Sequence, residues 1–129
     1  MRITRVATQL RTTDLDASID YYVSRLGFEL DFRFEDFYAG LSTVDGHQIH
    51  LKLVDTPNPD IAFVQAGTHL HLYFEVSDLD ATASGFRERG VTFHRDLTQT
   101  DRGTREFYVL DDQGHVLCFA ERPLQGSGR

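Results

Sequence analysis

The pentapeptide TDLDA at residues 13–17 returns as SDLDA at residues 77–81. In both places an alternating, strand-like stretch precedes the motif, and a stretch with helical spacing follows it up to a glycine, Gly27 or Gly90. A second repeated stretch follows each of these helical stretches: DGHQIHL at residues 45–51 resembles QGHVLCF at residues 113–119. Repetition at this scale indicates two copies of one supersecondary unit. Two such copies usually bury a core and leave a cleft where they meet.

Apolar spacing predicts one helix in each unit. The first covers residues 15–26, where the apolar positions share one helical face: Leu15, Ile19, Tyr22, Val23 and Leu26. Thr13 and Asp16 form an S/T-x-x-D start signal, and Gly27 can adopt the left-handed conformation that ends a helix. The second helix covers residues 79–89, and its inward positions are Leu79, Ala83 and Phe86.

Period-two alternation predicts the strands. The predicted strands of the first unit are residues 3–11, 28–35, 37–44 and 47–54, and those of the second are 69–76, 91–95, 104–110 and 115–121. Asp45 and Gly46 signal a tight hairpin between the last two strands of the first unit. The polar residues 96–103 are expected to form a loop. The order βαβββ, repeated, predicts an α+β fold in which two modules with curved sheets form a barrel-like groove.

The domain boundaries follow from the same elements. We expect a first module at residues 1–54, a linker at 55–68 that contains two prolines, a second module at 69–121 and a flexible tail at 122–129. Two half-domains of this size can share one core.

Composition narrows the function classes. A net charge of −7 argues against a nucleic-acid partner, whose phosphates need a basic face, and suits a neutral or cationic ligand. No apolar run approaches the length of a membrane helix, so we expect no membrane partner. A single cysteine, Cys118, excludes an internal disulfide. Together with the lack of a signal-peptide core at the N-terminus, it predicts a cytoplasmic protein.

Alternation along the strands also predicts ligand-binding residues, because successive side chains point to opposite faces. The aliphatic faces are expected to pack on the helices, and the polar faces to line the groove between the modules or to meet solvent. Three histidines and a tyrosine on two strands favour the groove. The predicted groove residues are Gln9, Gln48, His50, Lys52, His69, His71, Tyr73, Glu75 and Cys118.

The paired βαβββ order, the DLDA helix starts and the DxGH-type turn before a last strand resemble the vicinal oxygen chelate superfamily. That superfamily includes glyoxalase I, fosfomycin-resistance enzymes, extradiol dioxygenases and bleomycin-resistance proteins. The resemblance covers residues 3–121. One fold hosts many activities, so the resemblance implies the fold and leaves the activity open.

The resemblance implies two metal-ligand positions in each module, which fall on Ala7 and His50 and on His71 and Cys118. Ala7 cannot bind a metal, although Gln9 could substitute for it, and Cys118 replaces the expected glutamate. We therefore expect no complete metal site and no cofactor. The alternative is a divalent ion (Zn, Fe, Ni or Mn) on His50, His71 and Cys118.

The resemblance to bleomycin-resistance proteins predicts a homodimer that binds a small aromatic or cationic organic ligand in the groove, without a complete metal site. Aromatic residues lie on or beside the strands: Phe32, Phe34, Phe37, Tyr38, Tyr73, Phe107 and Tyr108. One alternative is a metal-dependent lyase, isomerase, transferase or dioxygenase acting on an oxygen-rich substrate. Another is a groove filled only by the subunit partner. Glu75 and Glu106 are the candidate catalytic residues, and whether the protein is an enzyme stays open.

Overall fold

The computed structural model describes residues 1–122. The chain divides into two compact units, with the boundary between Pro59 and Asp60. The predicted tail lies outside the described residues except for Arg122. Within residues 1–122, no helix has both the length and the apolar character needed to span a membrane.

The first unit has the predicted βαβββ order. Its elements are strand β1 (Ala7–Thr12), helix α1 (Leu15–Ser24) and strands β2 (Glu29–Phe34), β3 (Tyr38–Ser42) and β4 (Gln48–Leu53). The four strands form an open sheet in the order β1-β4-β3-β2, in which β1 runs parallel to β4 and the other neighbours are antiparallel. Helix α1 packs against β2, β3 and β4 and so covers one face of this sheet.

The core of the first unit lies between α1 and its sheet. Leu41 and Leu51 are almost fully buried, and the ring of Tyr22 meets that of Phe28 at 5.5 Å. Burying one leucine side chain stabilises the fold by about 1.5–3 kcal/mol. The predicted helical face is wrong at Val23, which is 39% exposed because it lies at the edge of that face.

An aspartate caps the N-terminus of the helix that follows each copy of the repeated motif. The carboxylate of Asp14 accepts a hydrogen bond of 3.1 Å from the backbone N–H of Ala17, and Asp78 accepts one of 3.0 Å from that of Ala81. The predicted start signal from Thr13 is therefore wrong by one residue, since aspartate caps a helix at least as well as threonine does. Gly27 ends the first helix region with φ of 85°, as predicted.

The second unit repeats the βαβββ order after one additional helix. Its elements are helix α2 (Asp60–Ala66), strand β5 (Leu72–Val76), helix α3 (Leu79–Glu88) and strands β6 (Thr92–Gln99), β7 (Arg105–Leu110) and β8 (Val116–Glu121). The sheet has the order β5-β8-β7-β6, with β5 parallel to β8. The predicted inward residues of α3 are buried, and the ring of Phe86 meets that of Phe119 at 5.0 Å.

The two sheets are mixed and open, and neither closes into a barrel. This arrangement of two four-stranded sheets with three helices is the α+β fold that the sequence predicts. In each sheet, parallel pairing of the first strand with the last brings the two predicted polar faces of that unit onto one side.

Three segments of the second unit differ from the sequence prediction. Helix α2 occupies part of the segment expected to be a linker, where Val64 is buried and the Gln65 side chain donates a 2.8 Å hydrogen bond to the carbonyl of Gly114. Strand β6 continues to Gln99 instead of ending in a loop, because its polar residues pair with β7. Strand β5 begins only at Leu72, so His69 and His71 precede it.

Candidate functional site

A chain of hydrogen bonds crosses the face of the first sheet opposite α1. The Gln9 amide donates to the hydroxyl of Tyr38 (3.2 Å), and that hydroxyl lies 2.9 Å from Nδ1 of His50. Nε2 of His50 lies 3.3 Å from Oε1 of Gln48, whose amide donates to Asp31 (2.8 Å). We call this surface the first polar face, defined by Gln9, Asp31, Phe32, Tyr38, Gln48 and His50.

Strand register explains why these residues meet. His50 pairs with Gln9 of β1 on one side and with Gly40 of β3 on the other. Paired residues project their side chains to the same face of a sheet, and so do residues two apart on one strand. Tyr38 and Gln48 therefore share the face of His50, while Ile49 and Leu51 point to α1.

An aromatic wall borders this hydrogen-bond chain. The ring of Phe32 lies over Gly40, where an added Cβ would sit 2.1 Å from a ring carbon, so any larger residue at this position would displace the ring. Phe32 meets the ring of His50 at 5.3 Å, edge to face, and stacks near Tyr38 at 6.3 Å. The register between β2 and β3 shifts between Leu30 and Phe32. Asp31 and Phe32, although adjacent in the chain, therefore both contact the first polar face.

His50 is half-buried beneath this wall. Burial lowers its pKa from the ordinary value, and the positive charge of Arg5 lowers it further, while the carboxylate of Asp31 acts in the opposite direction. The imidazole is therefore neutral at pH 7. A neutral ring has one donor and one acceptor nitrogen, which the chain of hydrogen bonds uses on its two sides.

The corresponding surface of the second sheet is the second polar face, defined by Tyr73, Glu75, Glu106, Tyr108 and Cys118. Cys118 pairs with Tyr73 on one side and with Tyr108 on the other. The Tyr108 hydroxyl donates a 3.1 Å hydrogen bond to Glu106, and the guanidinium of Arg95 lies 5.3 Å from the centre of the Tyr108 ring.

The cysteine and the two tyrosines of the second polar face hold their protons. Burial, followed by the negative charge of Glu106, raises the pKa of the Cys118 thiol to about 12. Burial also raises the pKa of Tyr108 to about 12, and that of Tyr73 rises for the same reason. At pH 7 this face carries a buried thiol and two phenols rather than a thiolate or phenolate.

His71 supports the turn before β8 instead of projecting from a strand. Its Nδ1 accepts a 3.0 Å hydrogen bond from the backbone N–H of Val116, and its Nε2 lies 3.3 Å from Asp60. The buried ring of His115 stands perpendicular to it at 4.9 Å and is itself held by Asp111 at 2.7 Å. Backbone and carboxylate contacts therefore occupy both ring nitrogens of His71.

A protein-family model for the Glyoxalase/Bleomycin resistance protein/Dioxygenase superfamily matches residues 2–119. The chain belongs to this superfamily. No curated protein sequence matches it.

Solved structures of the superfamily share the fold. A glyoxalase/bleomycin resistance protein/dioxygenase from Alicyclobacillus acidocaldarius is 21% identical, with a TM-score of 0.79 and all of both chains covered. TioX from Micromonospora sp. ML1 is 23% identical, with a TM-score of 0.73, covering 94% of this chain and 99% of its own. A lactoylglutathione lyase from Agrobacterium tumefaciens is 18% identical, with a TM-score of 0.71, covering 98% and 99%. Likeness at these identities concerns the fold.

The metal-ligand positions implied by the superfamily do not fit a metal ion here. Ala7 has no donor atom, and both nitrogens of His71 already have partners. Cys118 is a buried thiol whose raised pKa opposes the thiolate form that metals require. Within residues 1–122, no three His, Cys, Asp or Glu side chains converge as a metal site requires.

The remaining predicted site residues are divided between the two polar faces and the segment before β5. Lys52 pairs with Tyr38 at the exposed end of β4, and His69 lies before β5, where its ring stacks on Phe63 at 5.3 Å. Glu75 is exposed, and Glu106 accepts the hydrogen bond from Tyr108. Neither glutamate has a histidine partner among its described contacts.

Among the residues of the two polar faces, the sequence prediction missed Asp31 altogether, and it named Phe32, Tyr38 and Tyr108 only as aromatic residues on or beside the strands. For Tyr38, the hairpin at Asp45 and Gly46 is a sequence signal. It sets the register of β3 against β4, which places alternate residues of β3 on the same face as His50. The shift in pairing that brings in Asp31 has no comparable sequence signal.

Proposed function

We propose that this superfamily member binds a small organic molecule with a planar ring, aromatic or cationic, on its first polar face. The observation that carries the proposal is the junction of Phe32, Tyr38 and His50, whose rings meet at 5.3–6.3 Å beside an ordered hydrogen-bond chain. Binding sites for small molecules combine apolar and aromatic walls with a few placed polar groups, and this face has that combination.

The energetics favour a ring-bearing ligand. Covering one aromatic side chain contributes roughly 1.5–3 kcal/mol. Two such contacts with a small number of hydrogen bonds, each worth about 1 kcal/mol, are compatible with micromolar affinity after the cost of association. The exposed carboxylate of Asp31 and the net charge of −7 favour a cation over an anion.

A thermal-shift screen followed by calorimetry tests the proposal. The compounds are planar cations, their neutral ring analogues and α-hydroxycarbonyl compounds, each with and without added divalent metal. Ligand binding to the folded state raises the melting temperature as ligand concentration rises. We expect shifts from ring compounds that do not depend on metal.

Two matched variants locate the site. Tyr38→Ala removes one of the two aromatic rings that border the first polar face and is expected to abolish the shift. Tyr73→Ala makes the same change on the second polar face, where Tyr73 is 45% exposed, and is expected to leave the shift unchanged. Shifts seen only with metal and α-hydroxycarbonyl compounds, or lost only in Tyr73→Ala, would contradict the proposal.

Association as a homodimer belongs to the same proposal. Apolar side chains at the surface of the first unit, Phe34 (56% exposed) and Phe37 (45% exposed), are the kind that a second copy covers. Sedimentation velocity distinguishes a dimer from the 14.7 kDa single chain.

A further inference from the structure

The hydrogen-bond chain on the first polar face has one direction. A carboxylate accepts hydrogen bonds and cannot donate, so the amide of Gln48 donates to Asp31 (2.8 Å) and turns its carbonyl oxygen toward His50. His50 must then donate from Nε2, which leaves Nδ1 as its acceptor. The Tyr38 hydroxyl donates to that Nδ1 (2.9 Å) and accepts from the amide of Gln9 (3.2 Å).

We infer that Asp31 is a positioning residue, which holds His50 as the neutral Nε2–H tautomer and commits the Tyr38 proton to His50. Asp31 does not touch His50. It acts through the Gln48 amide, which would otherwise be free to rotate by half a turn and offer its N–H to the ring. In other sites, carboxylates that hydrogen-bond to a histidine or to its partner orient the ring by the same principle.

This inference rests on the proposed function and narrows the ligand class. The hydroxyl of Tyr38 is occupied on both sides, so the ligand meets the faces of the rings. The polar groups that can still contact a ligand lie at the two ends of the hydrogen-bond chain. They are the amide of Gln9 and the carboxylate of Asp31, and both residues are exposed. The class that fits is a planar ring with an N–H or ammonium donor at its edge, which Asp31 accepts.

The charges around His50 give the inference a second measurable consequence, a change in the pH at which His50 titrates. The charged and titratable groups near it are Arg5 before β1, Asp31 on β2, Tyr38 on β3 and Lys52 on its own strand and face. Among them, the negative charge of Asp31 raises the pKa of His50. Removing that charge should therefore move the midpoint of the His50 titration to lower pH.

Nitrogen-15 NMR of the imidazole ring, in the full chain without any ligand, tests the inference. Wild type is expected to show His50 protonated at Nε2. Asp31→Asn is expected to populate both tautomers and to lower the titration midpoint. Asp36→Asn removes the same charge from an exposed residue outside the chain of hydrogen bonds and is expected to match wild type.

Gln48→Ala provides a second route, because it breaks the link and keeps Asp31; it too should populate both tautomers. Circular dichroism on the same samples confirms that each variant is folded. A wild-type ring protonated at Nδ1 would overturn the inference. So would a His50 tautomer unchanged in both Asp31→Asn and Gln48→Ala. The spectra need no ligand, so failure here is distinguishable from a ligand screen that yields nothing.

Discussion

The hydroxyl of Tyr38 lies 2.9 Å from Nδ1 of His50, across the antiparallel pair β3 and β4. The two residues are not directly opposite each other, since His50 faces Gly40, and the missing side chain of that glycine leaves room for the ring of Phe32. A one-residue slip in this register would turn His50 toward α1 and dismantle the face. The hairpin between β3 and β4 therefore positions the candidate site as well as the core.

Tyr38→Phe should lower the free energy of unfolding by about 1 kcal/mol, because it removes one donor and one acceptor from a partly buried chain. Urea denaturation measures the change. Tyr73→Phe makes the same substitution at an exposed tyrosine and should leave stability within error. Equal effects of the two variants would show that the Tyr38 hydroxyl contributes nothing.

Stability should depend on pH through His50, whose pKa is lowered below the ordinary 6.5, chiefly by burial. As pH falls through 6.5 the unfolded chain takes up the proton first, so the free energy of unfolding decreases until the lowered pKa is reached. His50→Gln keeps a donor and an acceptor but does not titrate. Between about pH 7.5 and about pH 5.5 its stability should decrease less than that of wild type. Parallel pH profiles would contradict the lowered pKa.

Gly40→Ala should displace the aromatic wall, because the new methyl group would lie 2.1 Å from the ring of Phe32. Overpacking of this kind costs about 1–3 kcal/mol. The ring contact between Phe32 and His50 should be lost, which near-ultraviolet circular dichroism and ring-compound binding both report. Gly85→Ala in α3 is the control, since its methyl group meets only the flexible end of Arg89. Unchanged binding in Gly40→Ala would show that Phe32 is not part of the site.

His71→Ala should destabilise the protein by about 1–3 kcal/mol without any metal, because the backbone N–H of Val116 loses its acceptor. The measurement is thermal unfolding in the presence of a chelator. His94→Ala removes an exposed histidine and serves as the control. A destabilisation that appears only when zinc is added would instead support a ligand role for His71.

The thiol of Cys118 should react slowly with a thiol reagent in the folded protein at pH 8 or so. It is fully buried, and its pKa is raised to about 12 by burial and by the charge of Glu106. The rate should rise to that of a free cysteine once the chain is unfolded in urea. Rapid reaction of the native protein would be incompatible with the buried thiol.

Periodicity in the sequence predicts the repeat, helices α1 and α3 and most of the strands. Those features depend on local rules: a helix must place Leu79, Ala83 and Phe86 on one face, and a strand must alternate. Where the prediction failed, a distant contact outweighed the local signal. Helix α2 forms in a proline-flanked segment because Val64 is buried and Gln65 reaches Gly114.

The chemistry of the polar side chains depends on how the strands pair. Sequence alternation placed His50 and His71 in one class, yet His50 lies in a hydrogen-bond chain on a sheet face and His71 supports a backbone turn. The difference comes from partners far apart in the chain, such as Tyr38 and Asp31 for one and Asp60 and Val116 for the other. Periodicity reports which face a residue occupies. Hydrogen bonding, burial and charge around it arise only when the strands pair.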